Sequence, residues 1–254
     1  MAESKIAIKI AALFAKARDS AATAAESESY AAMAHKLMMQ YAVEEAEVLA
    51  AGGTPDEIVT KPGYLLAKLG PQHMRSLQLG GVLARANGVH MYYEEQVYVA
   101  EFEERATVLY FTGKKVAVSG VIPLWGALQT DMHAQAAGIS AYYGHPDWDD
   151  GMSKAANTKN MRNSFLDGFV LAISDRLKAM QVEVEKDSGM SLHPVLVSDF
   201  EKAQQKLRDE GMRFGRGKRA SAGRASSSRQ AGREAGGRAN LAKTSVSARK
   251  AIGS

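Results

Sequence analysis

The spacing of apolar residues in the first 41 positions constrains the fold more than any other feature of this chain. Ile6, Ile10 and Phe14 recur at intervals of four, which places them on one face of a helix. Thr23 with Glu26 three residues later is the pattern of a capping box, which predicts the start of a second helix. The apolar face of that helix consists of Tyr30, Met33, Ala34, Leu37, Met38 and Tyr41. Neither helix can bury its stripe alone, so the sequence predicts a helical hairpin.

Glycine and proline mark the end of this hairpin module, which we expect at residues 1–51. Residues 52–71 are rich in Gly and Pro and have the composition of a linker. An α+β core domain is predicted at residues 72–212. Its helices are expected near residues 72–88, 119–141, 161–180 and 197–211, and its strands near 89–93, 96–102 and 106–111. The predicted fold class is α+β, with helices packed on a small antiparallel sheet.

The last segment, residues 213–254, differs from the rest of the chain in charge. It contains eleven Lys or Arg and one acid, Glu234, whereas residues 1–212 contain 21 basic and 27 acidic side chains. Its Arg, Gly, Ser and Ala content predicts a largely flexible tail, because few large apolar groups are available to offset ordering. Residues 230–242 are the exception, since their Ala and Leu content favours a short helix on a partner or on the body.

This basic tail is the strongest functional signal in the sequence. Arginine and lysine neutralise phosphates and release counterions, which gives affinity for nucleic acid that is independent of base sequence. Phe214 lies among the cations, where it could stack on a base. The candidate DNA-binding residues are Arg213, Arg216, Lys218, Arg219, Arg224, Arg229, Arg233 and Arg238. The alternative is a tail that solubilises the protein or packs on the acidic body.

Other sequence features exclude several classes of function. The chain has no cysteine, which excludes disulfides, thiol nucleophiles and cysteine-ligated zinc. No apolar run approaches the roughly 20 residues that span a bilayer, and the first residues lack the apolar region of a secretory signal. We therefore expect a cytoplasmic protein with no membrane partner. No motif for a cofactor or a catalytic nucleophile is present.

One loop combines several potential metal ligands. Residues 145–150 contain His145, Asp147, Asp149 and Asp150, and hard cations prefer such oxygen ligands. The spacing matches neither a calcium loop nor a zinc motif. A solvated acidic loop with Trp148 beneath it is the favoured interpretation, and a metal-dependent hydrolase that uses this loop is kept as an alternative.

Several segments resemble a known family. Residues 9–17 and 28–41 follow the pattern K-I-x-x-L-L-A-x-A, then A-x-A-x-x-L-M-x-x-Y, with Phe14 in place of the second Leu. This pattern resembles the N-terminal domain of unknown function 2786 of actinobacterial and phage proteins. Residues 163–169 are similar to an S-F-x-x-G-F element of the C-terminal companion domain in that family. Residues 231–241 resemble its G-x-x-A-G closing motif.

The family has no established enzymatic activity. Some phage proteins of similar size and build act as recombination directionality factors, which bind a large serine integrase on DNA and switch it from integration to excision. The resemblance therefore implies a non-enzymatic, DNA-associated accessory protein with a serine integrase as partner, while the tail contacts DNA phosphates without sequence preference. A replication-associated DNA-binding protein without a recombinase partner remains an alternative.

Overall fold

The computed structural model describes residues 9, 12–13, 16, 30, 33–34, 36–42, 57–66, 73–100, 103–215, 222–239 and 241. The elements in these ranges are β1 (Ile58–Leu66), α1 (His73–Arg85), β2 (His90–Val99), β3 (Glu104–Lys114), α2 (Lys115–Ala137), α3 (Lys154–Ser188), α4 (Leu192–Asp209) and α5 (Ser226–Arg238). Residues 36–42, ahead of β1, are also helical. The predicted α+β class, with a small antiparallel sheet, is confirmed.

The sheet has the strand order β1-β3-β2, and both pairings are antiparallel. Thr112 of β3 faces Thr60 on one side and His90 on the other, and the two threonine hydroxyls lie 2.9 Å apart. Strands β2 and β3 form a β-hairpin. The two strands expected at 89–93 and 96–102 are a single strand, because a bulge between Glu94 and Val97 keeps both parts paired with β3.

Strand β1 lies inside the segment that the sequence predicts to be a linker, and this prediction is wrong for residues 58–66. Pro62 lacks a backbone N–H, but β1 is an edge strand and tolerates the missing donor. Gly63 is required there by packing, since a Cβ at this position would lie 2.9 Å from the Trp125 ring. Pro62 and Gly63, which suggest a linker in the sequence, therefore fit an edge strand that packs against the bulky ring of Trp125.

Helices cover both faces of the sheet. Leu109 and Phe111 of β3 pack on α1 and α2 in the main core, where Leu83 and Trp125 are almost completely buried. On the opposite face, Lys114 forms a buried ion pair with a carboxylate of α4, Asp199, at 2.8 Å. Alternating side chains of β3 thus meet different helical layers, as the period of a strand requires.

Part of the predicted hairpin packs on this core. Met39 belongs to the main core, and Met38 and Tyr41 pack with Val116 at the start of α2. Lys36 binds Glu183 and Asp187 of α3 at 2.9 and 2.7 Å. Ala34, Met38 and Tyr41 of the second apolar face are thus buried, whereas Met33 of the same face is exposed. Most of the first helix lies outside the described residues.

The C-terminal segment is the main departure from expectation. Residues 222–239 form α5 and its entry loop, packed along α3. The expectation of a largely flexible tail therefore does not hold for this part, and the short helix expected at 230–242 begins four residues earlier. The reason is that glycines and hydrogen bonds replace large apolar groups at the contact between α5 and α3.

No helix in the described ranges is long and apolar enough to cross a membrane.

Candidate nucleic-acid interface

Five of the eight candidate DNA-binding residues lie in the described part of the chain. Arg213 follows α4, Arg224 precedes α5, and α5 contains Arg229, Arg233 and Arg238. Arg216, Lys218 and Arg219 lie outside the described residues. The position of α5 therefore decides where most of the described candidates point.

The N-terminus of α5 is held by a carboxylate from the loop between α2 and α3. Asp147 Oδ1 accepts a hydrogen bond from the Ser227 N–H at 2.9 Å, and Oδ2 accepts from the Ser228 N–H at 2.6 Å. Burial acts to raise the pKa of Asp147, but the hydrogen bonds from Ser228 and Ser227 and the nearby His145 outweigh it and lower that pKa. A negative charge also suits the positive end of the helix dipole.

The C-terminus of α5 is held by a cation from α3. Arg176 Nη1 donates to the carbonyl oxygens of Gly236, at 3.1 Å, and Ala239. These carbonyls belong to the last turn, where a helix leaves acceptors without internal partners. Charges of the appropriate sign thus hold both ends of α5, one from α3 and one from the loop that precedes it.

The entry to α5 is fixed by three side chains of α3. Asn160 accepts from the Arg224 N–H at 2.8 Å, and Ser164 Oγ accepts from the Ala225 N–H at 2.9 Å. Asp167 Oδ2 accepts from the Gly223 N–H at 2.8 Å, while its Oδ1 binds the buried Arg75 of α1. Asp167 therefore joins the C-terminal segment to two core helices.

Glycines allow α5 to approach α3 at backbone distance. A Cβ on Gly232 would lie 1.9 Å from the carbonyl oxygen of Phe165, and one on Gly168 would lie 2.0 Å from that of Arg229. Such separations are impossible for a larger residue, so both positions require glycine. Gly168 and Gly232 therefore face each other across the same helix pair.

The candidate arginines divide into two groups. Arg229 Nη2 donates to the Gly223 carbonyl and its Nε is buried, and Arg233 forms a half-exposed ion pair with Asp175 at 2.9 Å. Arg213, Arg224 and Arg238 are exposed, and the side chains of these three form no ion pair with any residue of the described ranges. The structure therefore leaves three described arginines available for an anionic ligand.

Phe214 packs against two aromatic side chains of β2. Its ring lies 4.9 Å from His90 and 6.0 Å from Tyr92, measured between centroids, and it is 40% exposed. Burial lowers the pKa of His90, and the Arg208 charge lowers it further. Burial also raises the pKa of Tyr92 to about 12, with smaller contributions from Glu94, Tyr110 and Glu210. Phe214 thus anchors the start of the basic segment on the sheet.

The carboxylates of the 145–150 loop have structural partners. Asp147 caps α5, Asp149 Oδ1 accepts from the Gly151 N–H at 2.9 Å, and Asp150 Oδ1 accepts from Trp148 Nε1 at 2.8 Å. The described residues contain no group of three or more His, Cys, Asp or Glu side chains that could hold a metal ion. The geometry therefore gives this loop a role in joining α5 to the core.

A serine–histidine contact was not anticipated from the sequence. Ser76 Oγ lies 2.7 Å from His133 Nε2, and burial lowers the pKa of His133 to about 4. Ser76 is completely buried, and its backbone carbonyl accepts from Trp125 Nε1. A serine without access to substrate cannot act as a nucleophile, so this pair joins α1 to α2. The two residues are 57 positions apart, and no local pattern links them.

Comparison with known proteins bears on the N-terminus. Residues 5–45 match the model of a family described as a protein of unknown function, DUF2786. This agrees with the resemblance of the N-terminal hairpin and covers the buried Met38, Met39 and Tyr41. No curated protein and no solved structure matches the chain.

Proposed function

We propose that this protein is a non-enzymatic accessory protein that acts at DNA and contacts phosphates through arginines of its C-terminal segment. The supporting observation is the exposure of Arg224 and Arg238 at the two ends of a helix that core side chains hold in place. They are separated by the length of α5, roughly 20 Å at 1.5 Å per residue. That span of B-DNA carries about twelve phosphates on its two strands.

The docked position of α5 favours binding. A cation on a flexible tail loses conformational freedom when it binds, whereas one on a fixed helix loses only side-chain freedom. Arg213 extends the same basic segment from the end of α4, and Arg216, Lys218 and Arg219 follow it in the sequence. Affinity from such contacts is independent of base sequence and decreases steeply with salt.

Charge neutralisation tests this proposal better than truncation. Cutting the chain after Gly211 removes α5 and uncovers the face of α3 around Gly168, so a loss of binding would be ambiguous. The variant Arg213→Gln/Arg224→Gln/Arg238→Gln removes only exposed charges. It should bind random duplex DNA more weakly and reduce the slope of log K against log salt by about 2 to 3, since each lost phosphate contact contributes about 0.9.

The matched control is a variant with exposed lysines of α3, Lys178→Gln/Lys186→Gln, which should bind duplex DNA as the parent does. Fluorescence anisotropy at several salt concentrations measures affinity and slope together. An arginine variant with the affinity and slope of the parent protein would refute the phosphate contacts.

We further propose that the protein partner is a serine integrase and that the complex regulates recombination. This proposal is supported by the resemblance of the N-terminal segment and by the absence of any base-reading motif in the sequence, which leaves site choice to a partner. Co-purification with an integrase after nuclease treatment, together with a change in attachment-site choice, is the expected result. Failure of both would favour the replication-associated alternative.

A further inference from the structure

The segment that joins α2 to α3 presents two adjacent aromatic side chains to solvent. Tyr143 is 82% exposed and Tyr142 is 59% exposed. Tyr143 is the most exposed large hydrophobic side chain among the described residues. Exposed aromatic pairs of this kind mark binding surfaces more often than isolated exposed residues do.

The backbone beneath these tyrosines is fixed. The Ala141 N–H donates to Thr158 Oγ1 at 3.0 Å, and Arg162 donates to the carbonyl oxygens of Ile139 and Ala137, both at 2.9 Å. The rings also have neighbours on one side, because Tyr142 meets His145 edge-on at 5.2 Å and Tyr143 meets Trp148 at 6.1 Å. The backbone hydrogen bonds and the neighbouring rings therefore hold both tyrosines in an exposed position, where a ligand can contact them.

A cationic groove lies beside this aromatic pair. It is an open, shallow depression on one face of α3, lined by Lys154, Ala155, Thr158, Lys159 and Arg162. Three of these side chains are positively charged and none is acidic. Thr158 connects the two features, since it lines the groove and binds the residue that precedes Tyr142. A chain with negative charges at regular spacing complements such a groove.

Three carboxylates of the neighbouring loop also lie near this surface, and the cations Lys154, Lys159, Arg162 and Arg224 outnumber them. Asp147 caps α5, and Asp149 and Asp150 accept hydrogen bonds from Gly151 and Trp148. Arg224 adds a further cation, because its N–H binds Asn160, the neighbour of Lys159 in the sequence. The tail and the first turns of α3 thus contribute positive charge to the same end of the molecule.

We propose that Tyr142, Tyr143 and the groove of Lys154, Lys159 and Arg162 bind single-stranded nucleic acid. The tyrosine rings stack on unpaired bases, and the cations contact the phosphates on either side. A duplex does not satisfy this site, because its bases are already stacked on one another. Any base can stack on an aromatic side chain, so the site distinguishes single-stranded from double-stranded nucleic acid but does not read the base sequence. This inference rests on the proposed function in one respect, namely that the ligand is a nucleic acid.

The test compares a labelled oligothymidylate of about 20 nucleotides with a duplex of equal length, by fluorescence anisotropy. The variant Tyr142→Ala/Tyr143→Ala should lose roughly tenfold or more in affinity for the single strand and bind the duplex unchanged. Tyr142→Phe/Tyr143→Phe should retain binding, because phenylalanine preserves stacking. Tyr98→Ala removes a tyrosine of β2 that is 61% exposed and should leave single-strand affinity unchanged.

The groove is tested separately. Lys154→Glu/Lys159→Glu should weaken single-strand binding and its salt dependence, whereas Lys178→Glu on the same helix should not. The fluorescence of Trp148, beside Tyr143, should change on binding, and Trp148→Phe should abolish that change because the other tryptophan, Trp125, is buried.

The outcomes distinguish this inference from the proposed function. Unchanged single-strand affinity in Tyr142→Ala/Tyr143→Ala overturns the inference even if Arg213→Gln/Arg224→Gln/Arg238→Gln weakens duplex binding. If the tyrosine variant loses single-strand affinity while the triple arginine variant binds duplex DNA as the parent does, the stacking site is supported and the phosphate contacts of the tail are refuted. If Tyr142→Ala/Tyr143→Ala keeps its single-strand affinity but no longer captures a protein partner, the inference is overturned. The two tyrosines would then belong to a protein-docking surface.

Discussion

Asp147 and Ser228 lie 81 residues apart in the sequence, yet Asp147 Oδ2 accepts hydrogen bonds from both the backbone N–H and the hydroxyl of Ser228 at 2.6 Å. This contact joins the loop after α2 to the first turn of α5. It fixes the helix that carries Arg233 and Arg238 to the loop between α2 and α3. The C-terminal segment is therefore positioned by residues from the middle of the chain.

Removing this cap should destabilise the protein. Asp147→Ala leaves the first N–H groups of α5 without their acceptor, and we expect a loss of about 2 kcal/mol in the free energy of unfolding, the size of a strong helix cap. Urea denaturation monitored by circular dichroism measures it. Asp150→Ala removes an exposed carboxylate of the same loop whose one side-chain hydrogen bond, from Trp148, is also exposed, and it should cost less, under about 1 kcal/mol. Equal stability of the two variants would show that the cap has no energetic role.

The glycine contact gives a sharper test, because α5 contains its own control. Gly232→Ala places a Cβ 1.9 Å from the Phe165 carbonyl oxygen and should cost more than about 2 kcal/mol or displace α5. Gly237→Ala meets nothing within 4 Å and should be neutral or stabilising by up to about 1 kcal/mol, since alanine favours a helix. Thermal unfolding compares them. Similar melting temperatures would contradict close packing of α5 on α3.

The buried histidine predicts a dependence of stability on pH. The pKa of His133 falls from 6.5 to about 4 on burial. Between these values the unfolded state binds a proton that the folded state does not, so stability decreases as pH falls from 6.5 towards 4 and is constant above that range. The full loss is on the order of 3 kcal/mol. His133→Gln should remove this part of the pH dependence, and an unchanged dependence would refute the assignment.

Docking of the N-terminal segment on the core is tested by two methionines. Met39 is 1% exposed and belongs to the main core, so Met39→Ala should cost about 2 to 4 kcal/mol. Met33, in the same segment, is 53% exposed, and Met33→Ala should have little effect. Chemical denaturation measures both. A small effect of Met39→Ala on unfolding of the core would mean that the segment matched by the family model is not part of the core's cooperative unit.

Elements with strong local signals were predictable. The apolar spacing before Gly88 predicts α1, and Gly88 adopts the left-handed conformation, φ +66°, expected of a residue that ends a helix. The spacing around residues 161–180 likewise predicts the centre of α3. Helix α4 begins at Leu192, earlier than expected, with Pro194 in its first turn, where a proline is tolerated.

Elements that depend on distant residues were not predictable. Strand β1 is formed by pairing with β3 some 50 positions later, and its Pro62 and Gly63 locally resemble a linker. For α5, the sequence predicts a short helix on a partner or on the body. Its start at Ser226 and its docking on α3 could not be predicted, because they depend on Asp147, Arg176 and two glycines that meet only in the folded chain. For the same reason, the inward orientation of Arg229 could not be inferred from charge alone. The exposure of Tyr142 and Tyr143 likewise depends on contacts of their loop with α3.

Amide hydrogen exchange of the free protein tests the central claim, that the arginine-bearing C-terminal helix is a fixed part of the fold. The docked arrangement predicts that amides of residues 229–238 exchange slowly, close to those of α3 at residues 165–177, and that Gly232→Ala accelerates exchange in α5 well before α3 is affected. Exchange of the α5 amides at the rate of an unstructured peptide in the parent protein, while α3 remains protected, would contradict it.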